Sequence, residues 1–311
     1  MALPKVYGLV GYPVKHSLSP LMHNAAFKAL NIPAEYKLFE VKPEELKDFL
    51  LEDIQVKDIS GNSVRTKDIS GFNITIPYKV KAKEILGNKF PHKISEYADL
   101  LVQNCFWFVE LTNAINTVKR EKGVLHYFNT DSWGFFQSLI LDLNIDLINQ
   151  NVLIIGFGGA GRAILAGLSL QSHFVGKIYI TDINEAVDTS LQELLPVSLY
   201  FKGQVEFIPA KQIPDKIKDC QLLINATPIG MKESDGTVID KDLLHKDLFV
   251  YDVVYNRETQ LIKDARSLGL SAVDGLNMLL LQAVRSFEIW TKKSAPVEIM
   301  REELKEGVKN L

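Results

Sequence analysis

Three groups of residues in this 311-residue chain have types and spacings suited to chemistry. The first is Val152-Leu-Ile-Ile-Gly-Phe-Gly-Gly-Ala-Gly161, where Gly156, Gly158 and Gly161 stand at G-x-G-x-x-G spacing behind four apolar residues. In such a strand, turn and helix start, the first glycine lets the chain reverse. The second removes the Cβ where a phosphate approaches, and the third lets the helix lie close to its strand. The helix N-terminus adds N–H donors and a positive dipole end. A glycine-rich turn without a ligand is the plain alternative. The apolar strand before the turn favours a dinucleotide, as does Asp182, 21 residues after Gly161 at the end of a second strand-like run. The second group is Thr75 and Lys79 in Gly71-Phe-Asn-Ile-Thr-Ile-Pro-Tyr-Lys79, where a strand meets a helix. Site residues gather at such places in α/β folds, although a lone lysine is more often a solvated helix residue. The third is Ser17 and Ser19, alternating serines at a strand-to-helix turn. Two hydroxyls and a helix N-terminus can hold a carboxylate. The plain reading has Ser19 cap the helix, with Pro20 its first residue. Asp131 likewise has a plain reading, as N-cap of a helix carrying Trp133, Phe136, Leu139, Ile140 and Leu143 at helical spacing.

The elements that must position these residues alternate along the chain. Strands are expected at 5–10, 35–41 and 72–76, the last ended by Pro77, with a helix over 43–51. Lys119 to Gly123 form a charged turn, from which Val124 to Phe128 pair back as a hairpin. The apolar stretch 95–111 fits either an extra helix and strand or a hairpin. Lys-Asp-Ile-Ser-Gly occurs at 57–61 and again at 67–71, an echo that fits a local insertion or hairpin-like loop with no evident chemistry. After the glycine turn, apolar strands at 177–181, 205–208, 222–225 and 249–253 alternate with helical segments. This pattern predicts a doubly wound parallel sheet with right-handed crossovers, whose strand ends would line a ligand crevice. A last helix carries Leu279, Ala283, Phe287 and Trp290 on one side, with Gln282 within it. The expected architecture is α/β with two domains. One is an N-terminal α/β domain, 1–130 with 276–311, to which the C-terminal helices return. The other is a Rossmann-like domain, 131–275.

Composition narrows the classes of function. At 47% hydrophobic and 23% charged residues, the chain is ordinary globular protein, long enough for two cores. A net charge of −3 gives no electrostatic case for nucleic acid or an anionic membrane. The first residues lack a charged region followed by a long apolar run, so no signal peptide is expected. No apolar run is long enough to span a bilayer. Cys105 and Cys220 stand alone without C-x-x-C, so reduced thiols in a cytoplasmic protein are expected and no metal site is.

With these residues assembled, the chain resembles the shikimate dehydrogenases over nearly its full length. Gly11-Tyr-Pro-Val-Lys-His-Ser-Leu-Ser-Pro-Leu-Met-His-Asn24 looks like the family's substrate-carboxylate motif. Asn73-Ile-Thr-Ile-Pro-Tyr-Lys79 is similar to its N-V-T-x-P-x-K, Ala114-Ile-Asn-Thr117 to its A-V-N-T, and Asn129-Thr-Asp131 to its N-T-D. Asn225-Ala-Thr-Pro-Ile-Gly-Met231, Asp252-Val-Val-Tyr255 and the stretch from Gly275 to Gln282 match as well. The resemblance implies reversible, nicotinamide-dependent reduction of 3-dehydroshikimate to shikimate. It implies Ser17 and Ser19 on the carboxylate, and Thr75, Asn116, Asp131, Tyr255 and Gln282 on the ring hydroxyls. Lys79 with Asp131 is the implied catalytic pair. The cofactor side would comprise Gly156, Gly158, Gly159, Ala160, Gly161, Asp182, Thr227, Val253, Gly275 and Met278. Members preferring NADP usually carry Asn-Arg-Thr after the second strand, but this chain has Thr181-Asp182-Ile183. An acidic residue there hydrogen-bonds a free ribose hydroxyl and repels a 2′-phosphate, so NAD is expected over NADP. Alternatively Asp182 only caps the following segment, and Lys202 or another base meets the phosphate. Asn113, Arg257 and Lys292 replace residues usual in the family. NAD use raises a quinate/shikimate dehydrogenase as the runner-up, and a non-catalytic dinucleotide sensor is a remote third. The expected partner is a small-molecule substrate, in a monomer or homodimer.

Overall fold

The computed structural model describes residues 4–91, 99–171, 175–182 and 204–310. Backbone contacts divide the chain into two compact units, Met1–Trp133 with Gln282–Leu311, and Gly134–Leu281. The helices Asp131–Leu143 and Leu276–Thr291 each run across a division. The sequence boundaries at 130/131 and 275/276 therefore mark helix starts, whereas packing divides the chain inside each helix.

The strands of the first unit are β1 (Lys5–Gly11), β2 (Ala34–Glu40), β3 (Gln55–Lys57), β4 (Ser63–Arg65), β5 (Ile69–Ile74), β6 (Thr117–Glu121) and β7 (Val124–Phe128). Five of them form one sheet in the order β2-β1-β5-β6-β7. Its first three strands are parallel and β6 and β7 join antiparallel. Five consecutive buried residues end β1, as suits a parallel strand covered on both faces. The helices are α1 (Ser19–Ala29), α2 (Leu46–Leu51), α3 (Lys79–Lys89), α4 (Leu100–Thr112) and the start of α5 (Asp131–Leu143).

Several local expectations change. β5 ends at Ile74, and β6 runs on through Glu121, so the hairpin turn is only Lys122 and Gly123 at φ 50 and 80. Positive φ at both central residues matches the strand twist of a two-residue hairpin. The ambiguous apolar stretch is one helix, α4, whose first-turn N–H groups at Leu101 and Val102 donate to the Asp99 carboxylate at 2.8 and 3.2 Å. Apolar residues on most of its faces hid the helical period; residues 95–98 lie outside the described residues. The two copies of the echoed pentapeptide adopt different structures. In the first, Asp58 accepts the N–H groups of Ser60 and Asn62 at 2.9 Å and closes the β3–β4 turn. The second enters β5, where a Cβ on Gly71 would stand 2.6 Å from Trp290 Nε1.

The second unit holds β8 (Val152–Ile155), β9 (Ile178–Thr181), β10 (Val205–Phe207), β11 (Leu222–Asn225), β12 (Phe249–Asp252) and β13 (Ala272–Val273). They pair in parallel in the order β10-β9-β8-β11-β12-β13. This is the doubly wound nucleotide-binding order, with its reversal between β8 and β11. The strand cores are apolar runs because both faces are covered: Val152, Leu153 and Ile154 are all 0% exposed. Helix α6 (Gly159–Leu168) follows β8, and α7 (Gln260–Ser267) begins at Thr259, whose hydroxyl accepts the Ile262 N–H.

The helix α8 (Leu276–Thr291) brings the chain back to the first unit, followed by α9 (Val297–Lys309). Ala283, Phe287 and Trp290 are buried as expected, but Leu279 is only half-buried and Leu280 fills the core instead. The Trp290 ring stacks on Tyr7 at 5.1 Å and its indole N–H donates to the Val118 carbonyl at 2.9 Å. Helix α9 packs on α1 so closely that a Cβ on Gly307 would meet Leu21 at 2.5 Å. Among the described residues no helix is long and apolar enough to cross a membrane.

Candidate active site

Thr75 and Lys79 follow β5, whose end is held between its neighbours. The Thr75 N–H donates to the Val10 carbonyl at 2.9 Å, and the Ile74 N–H donates to the Asn116 carbonyl at 2.8 Å. Gly11 at the end of β1 makes room, since a Cβ there would lie 2.4 Å from the Thr75 methyl. Lys79 opens α3, and its carbonyl accepts the Ile115 N–H at 3.0 Å. That bond ties the start of α3 to the chain entering β6.

Lys79 Nζ lies 2.7 Å from Asp131 Oδ2. The other carboxylate oxygen, Oδ1, accepts from Asn116 Nδ2 at 2.8 Å. Asn116 Nδ2 also stands 3.5 Å from Gln282 Oε1. Four residues singled out from the sequence, Lys79, Asn116, Asp131 and Gln282, thus meet in the first unit. The amide orientation of Asn116 is set by its oxygen, which accepts the Thr130 N–H at 2.7 Å and the Thr117 hydroxyl at 3.0 Å. Beneath it, Ser286 Oγ stands 2.8 Å from the Thr117 hydroxyl and accepts Asn73 Nδ2 at 2.9 Å.

Asp131 begins α5 but does not cap it. Asn129 Oδ1 accepts the N–H groups of Asp131 and Ser132 at 3.1 and 3.3 Å, leaving the Asp131 carboxylate for Lys79 and Asn116. Ser19 is not a cap either. Helix α1 starts at Ser19 with Leu18 before it and no side-chain cap. Ser17 Oγ accepts the Ser19 N–H at 3.2 Å. Ser19 is buried against Tyr36, whose hydroxyl donates to Asn73 Oδ1 at 2.8 Å. No hydrogen bond joins Ser17, Ser19 or Thr75 to the Lys79–Asp131 pair; all five follow strand ends of the same sheet. Tyr255 belongs to the second unit, half-buried after β12, where burial pushes its phenol up.

In the second unit each glycine of the turn meets a separate requirement. Gly156 has φ +96, and a Cβ there would strike Thr227 at 2.7 Å. A Cβ on Gly161 would sit 2.2 Å from the Gly156 carbonyl oxygen, so α6 can approach β8 only without one. A Cβ on Gly158 would have no atom within 4 Å. Gly158 therefore faces open space at the N-terminus of α6, where Gly159, Ala160 and Gly161 form the first helical turn. A phosphate accepted by that turn would take the room a side chain denies. Asp182 directly follows β9, and its Oδ2 accepts the Phe157 N–H at 2.6 Å, bracing the glycine turn. Ile183 and Lys202 lie outside the described residues. Thr227 donates both its N–H and its hydroxyl to Asn225 Oδ1, at 3.0 and 2.7 Å. A Cβ on Gly275 would stand 2.2 Å from the Val253 carbonyl oxygen, so the start of α8 lies directly on the end of β12. Met278 is half-buried on the first turn of α8. Asn225 Nδ2 donates to Asp252 Oδ1 at 2.9 Å, and Thr259 donates to Oδ2 at 2.7 Å. Burial nevertheless pushes the Asp252 carboxyl up to about 6, against the opposing pull of those donors.

Residues 9–92 match the shikimate dehydrogenase substrate binding domain, and residues 275–305 match the shikimate 5'-dehydrogenase C-terminal domain. The shikimate dehydrogenase (NADP(+)) of Methanopyrus kandleri is 35% identical over 309 residues, covering 98% of this chain and 96% of its own. The chain belongs to the shikimate dehydrogenase family. Shikimate 5-dehydrogenase from Listeria monocytogenes, solved with shikimate and NAD, is 28% identical with a TM-score of 0.76 and covers 96% of each chain. Quinate dehydrogenase from Corynebacterium glutamicum, solved with NAD, is 27% identical with a TM-score of 0.78, covering 98% of this chain and 100% of its own.

In this shikimate dehydrogenase family member, Asn129, Thr117, Thr130 and Ser286 join the network although their types and spacing alone do not single them out. Asn129 and Thr130 immediately precede Asp131, and an asparagine two residues before a helical aspartate is itself a capping signal. Ser286 had a weaker signal, four residues after Gln282 and so on the same helical face.

Proposed function

We propose that this chain catalyses the reversible, nicotinamide-dependent reduction of 3-dehydroshikimate to shikimate, a step of aromatic biosynthesis. The observation that carries it is the 2.7 Å pair of Lys79 and Asp131, joined by Asn116 and Gln282, with Lys79 inside the match to a substrate binding domain and Gln282 inside the match to the C-terminal domain. The open face at Gly158 and the parallel sheet order support a bound dinucleotide. When bound, that cofactor supplies the hydride. Lys79 stabilises the oxygen of the reacting carbonyl as it gains charge and donates the proton that completes the alcohol. Asp131 holds the lysine ammonium in place, and Asn116 fixes the carboxylate from its other side. Ser17 and Ser19 take the substrate carboxylate, while Thr75, Asn116, Gln282 and Tyr255 orient its ring hydroxyls. Gly156, Gly158, Gly159, Ala160 and Gly161 receive the pyrophosphate, with Thr227, Val253, Gly275 and Met278 alongside the cofactor.

The cofactor is NAD in preference to NADP on this reading, because Asp182 places a carboxylate at the end of β9. The relatives from Methanopyrus kandleri and Methanocella arvoryzae carry NADP(+) in their names, so an NAD preference would set this chain apart from them. A second reading, oxidation of quinate with NAD, is favoured by the same aspartate and by the likeness to the C. glutamicum quinate dehydrogenase. Steady-state kinetics with shikimate and quinate, each with NAD and NADP, separates the readings. The highest kcat/KM is expected for shikimate with NAD. A clear NADP preference would remove the role given to Asp182, and a higher kcat/KM for quinate would replace the substrate.

A further inference from the structure

Asn73 lies on β5, two residues before Thr75 and six before Lys79. It is buried, and so are its partners Tyr36, Asn116, Thr117 and Ser286. The amide nitrogen, Nδ2, faces three oxygens: the Asn116 carbonyl at 3.1 Å, the Thr117 hydroxyl at 3.0 Å and the Ser286 hydroxyl at 2.9 Å. The amide oxygen accepts the Tyr36 hydroxyl at 2.8 Å. One side chain thus joins β5 to β2, to the residue that enters β6 and to α8, all within the first unit.

The direction of each bond follows from which atoms have a proton to give. A backbone carbonyl only accepts, so the Asn73 atom facing the Asn116 carbonyl must be the nitrogen. Ser286 has a single hydroxyl proton, and that proton goes to the Gln282 carbonyl at 2.9 Å. Ser286 can therefore only accept from Asn73. Asn73 is then the donor required at two places: the carbonyl of Asn116, and the hydroxyl that holds the Gln282 turn of α8. The side chains of those same two residues stand 3.5 Å apart, and Asn116 holds Asp131 at 2.8 Å. An oxygen in place of Nδ2 would face two acceptors where burial leaves no water to turn to. The Asn116 carbonyl or Ser286 would have to move, and Asn116 or Gln282 with it.

We propose that Asn73 is a positioning residue for the dehydrogenase reaction: its amide donors set where Asn116 and Gln282 stand relative to Lys79 and Asp131. The role rests on the function proposed above and is exerted through Asn116 and Gln282, not on the substrate itself.

Steady-state oxidation of shikimate by the full-length protein, run well below each variant's thermal midpoint, tests this. Asn73→Asp keeps the size of the side chain and the acceptor for Tyr36 but puts an oxygen where the donors were. It is expected to lower kcat by about tenfold to a hundredfold, the scale of a small misplacement of reacting groups. The introduced carboxyl donates only when protonated, and burial can raise such a group to about pH 8–9. The ratio of variant to wild-type kcat should therefore rise as pH falls from about 9 to about 6. Tyr36, which contacts the amide, and His23, stacked on Tyr36 at 4.4 Å, add no titration there: burial pushes the phenol up and the imidazole down to about 3. The Lys79–Asp131 pair is common to both proteins. Tyr36→Phe removes the bond on the other side of the same amide and should keep kcat within about threefold, with a flat ratio. Ser286→Ala removes the acceptor on α8 without burying a charge and should lower kcat/KM for shikimate at least threefold. Near-wild-type kcat in Asn73→Asp, or a loss that does not vary with pH, would overturn the role. So would equal losses in Asn73→Asp and Tyr36→Phe, and so would wild-type kcat/KM in Ser286→Ala, which decides the matter where Asn73→Asp does not fold. A wild type that oxidises shikimate with neither NAD nor NADP would overturn the function itself, and this role with it.

Discussion

At the start of α5, capping by Asn129 leaves the carboxylate of Asp131 for Lys79 and Asn116. A helix starting at Asp131 needs an acceptor for its first N–H groups, and Asn129 provides it. The carboxylate is then held from two sides, by Lys79 at 2.7 Å and by Asn116 at 2.8 Å. In the proposed mechanism, Lys79→Ala would remove both the proton donor and the charge that stabilises the developing alkoxide. It is expected to lower kcat by about 10²–10⁴-fold, the usual contribution of a positioned acid or base, with a much smaller change in KM. Near-wild-type turnover in steady-state assays of that variant would sink the role of the lysine.

At the scale of elements, the β8–α6 turn separates the demands of folding from those of binding. Gly161 serves packing, since its Cβ would stand 2.2 Å from the Gly156 carbonyl oxygen. Gly158 serves access, with nothing within 4 Å of its Cβ position and an ordinary φ of −72. Gly161→Ala should therefore destabilise the protein by roughly 1–3 kcal/mol, the range for overpacking a tight contact. Gly158→Ala should leave stability within about 0.5 kcal/mol, as a change away from any packed contact does, yet weaken the cofactor at least tenfold. Chemical denaturation and fluorescence titration with NADH measure the two effects separately. Equal loss of stability in both variants would show that the turn is only structural.

Across the whole molecule, the pH dependence of stability has an identifiable source in the second unit. Asp252 is 0% exposed, and burial pushes its carboxyl from 3.8 up to about 6. A folded-state value above the unfolded one means that the native state holds the proton more tightly. Stability contributed by this group is thus present below pH 4 and is lost as pH rises through about 6, on the order of 3 kcal/mol in all. Asp252→Asn keeps an acceptor for Asn225 and Val254, and the Thr259 hydroxyl can accept from the new amide. The thermal midpoint of the wild type should fall relative to this variant between pH 4 and 6. Parallel profiles for the two proteins would show that Asp252 does not titrate there.

Local chemistry was legible in the sequence because it depends on near neighbours. Apolar strand runs between turn residues, the glycine spacing at 156–161 and the proline-terminated strand before Lys79 are restrictions that a few consecutive residues impose on the backbone. They were enough for the α/β class, the parallel pairing of the second sheet and the family's motifs. They left open what depends on packing: α4, apolar on most faces, could not be told from a helix and strand or a hairpin, and the echoed pentapeptide, whose first copy lies in the expected hairpin of β3 and β4, enters β5 in its second copy. The partner of each buried polar group was decided by tertiary structure alone. Asn73 reaches Ser286 across 213 residues, and Asn116 reaches Gln282 across 166. No sequence period links residues so far apart; a donor and acceptor meet there because burial leaves them no water. The same holds for Arg285, an ordinary helix arginine in the sequence, which tertiary packing buries to 6% exposure.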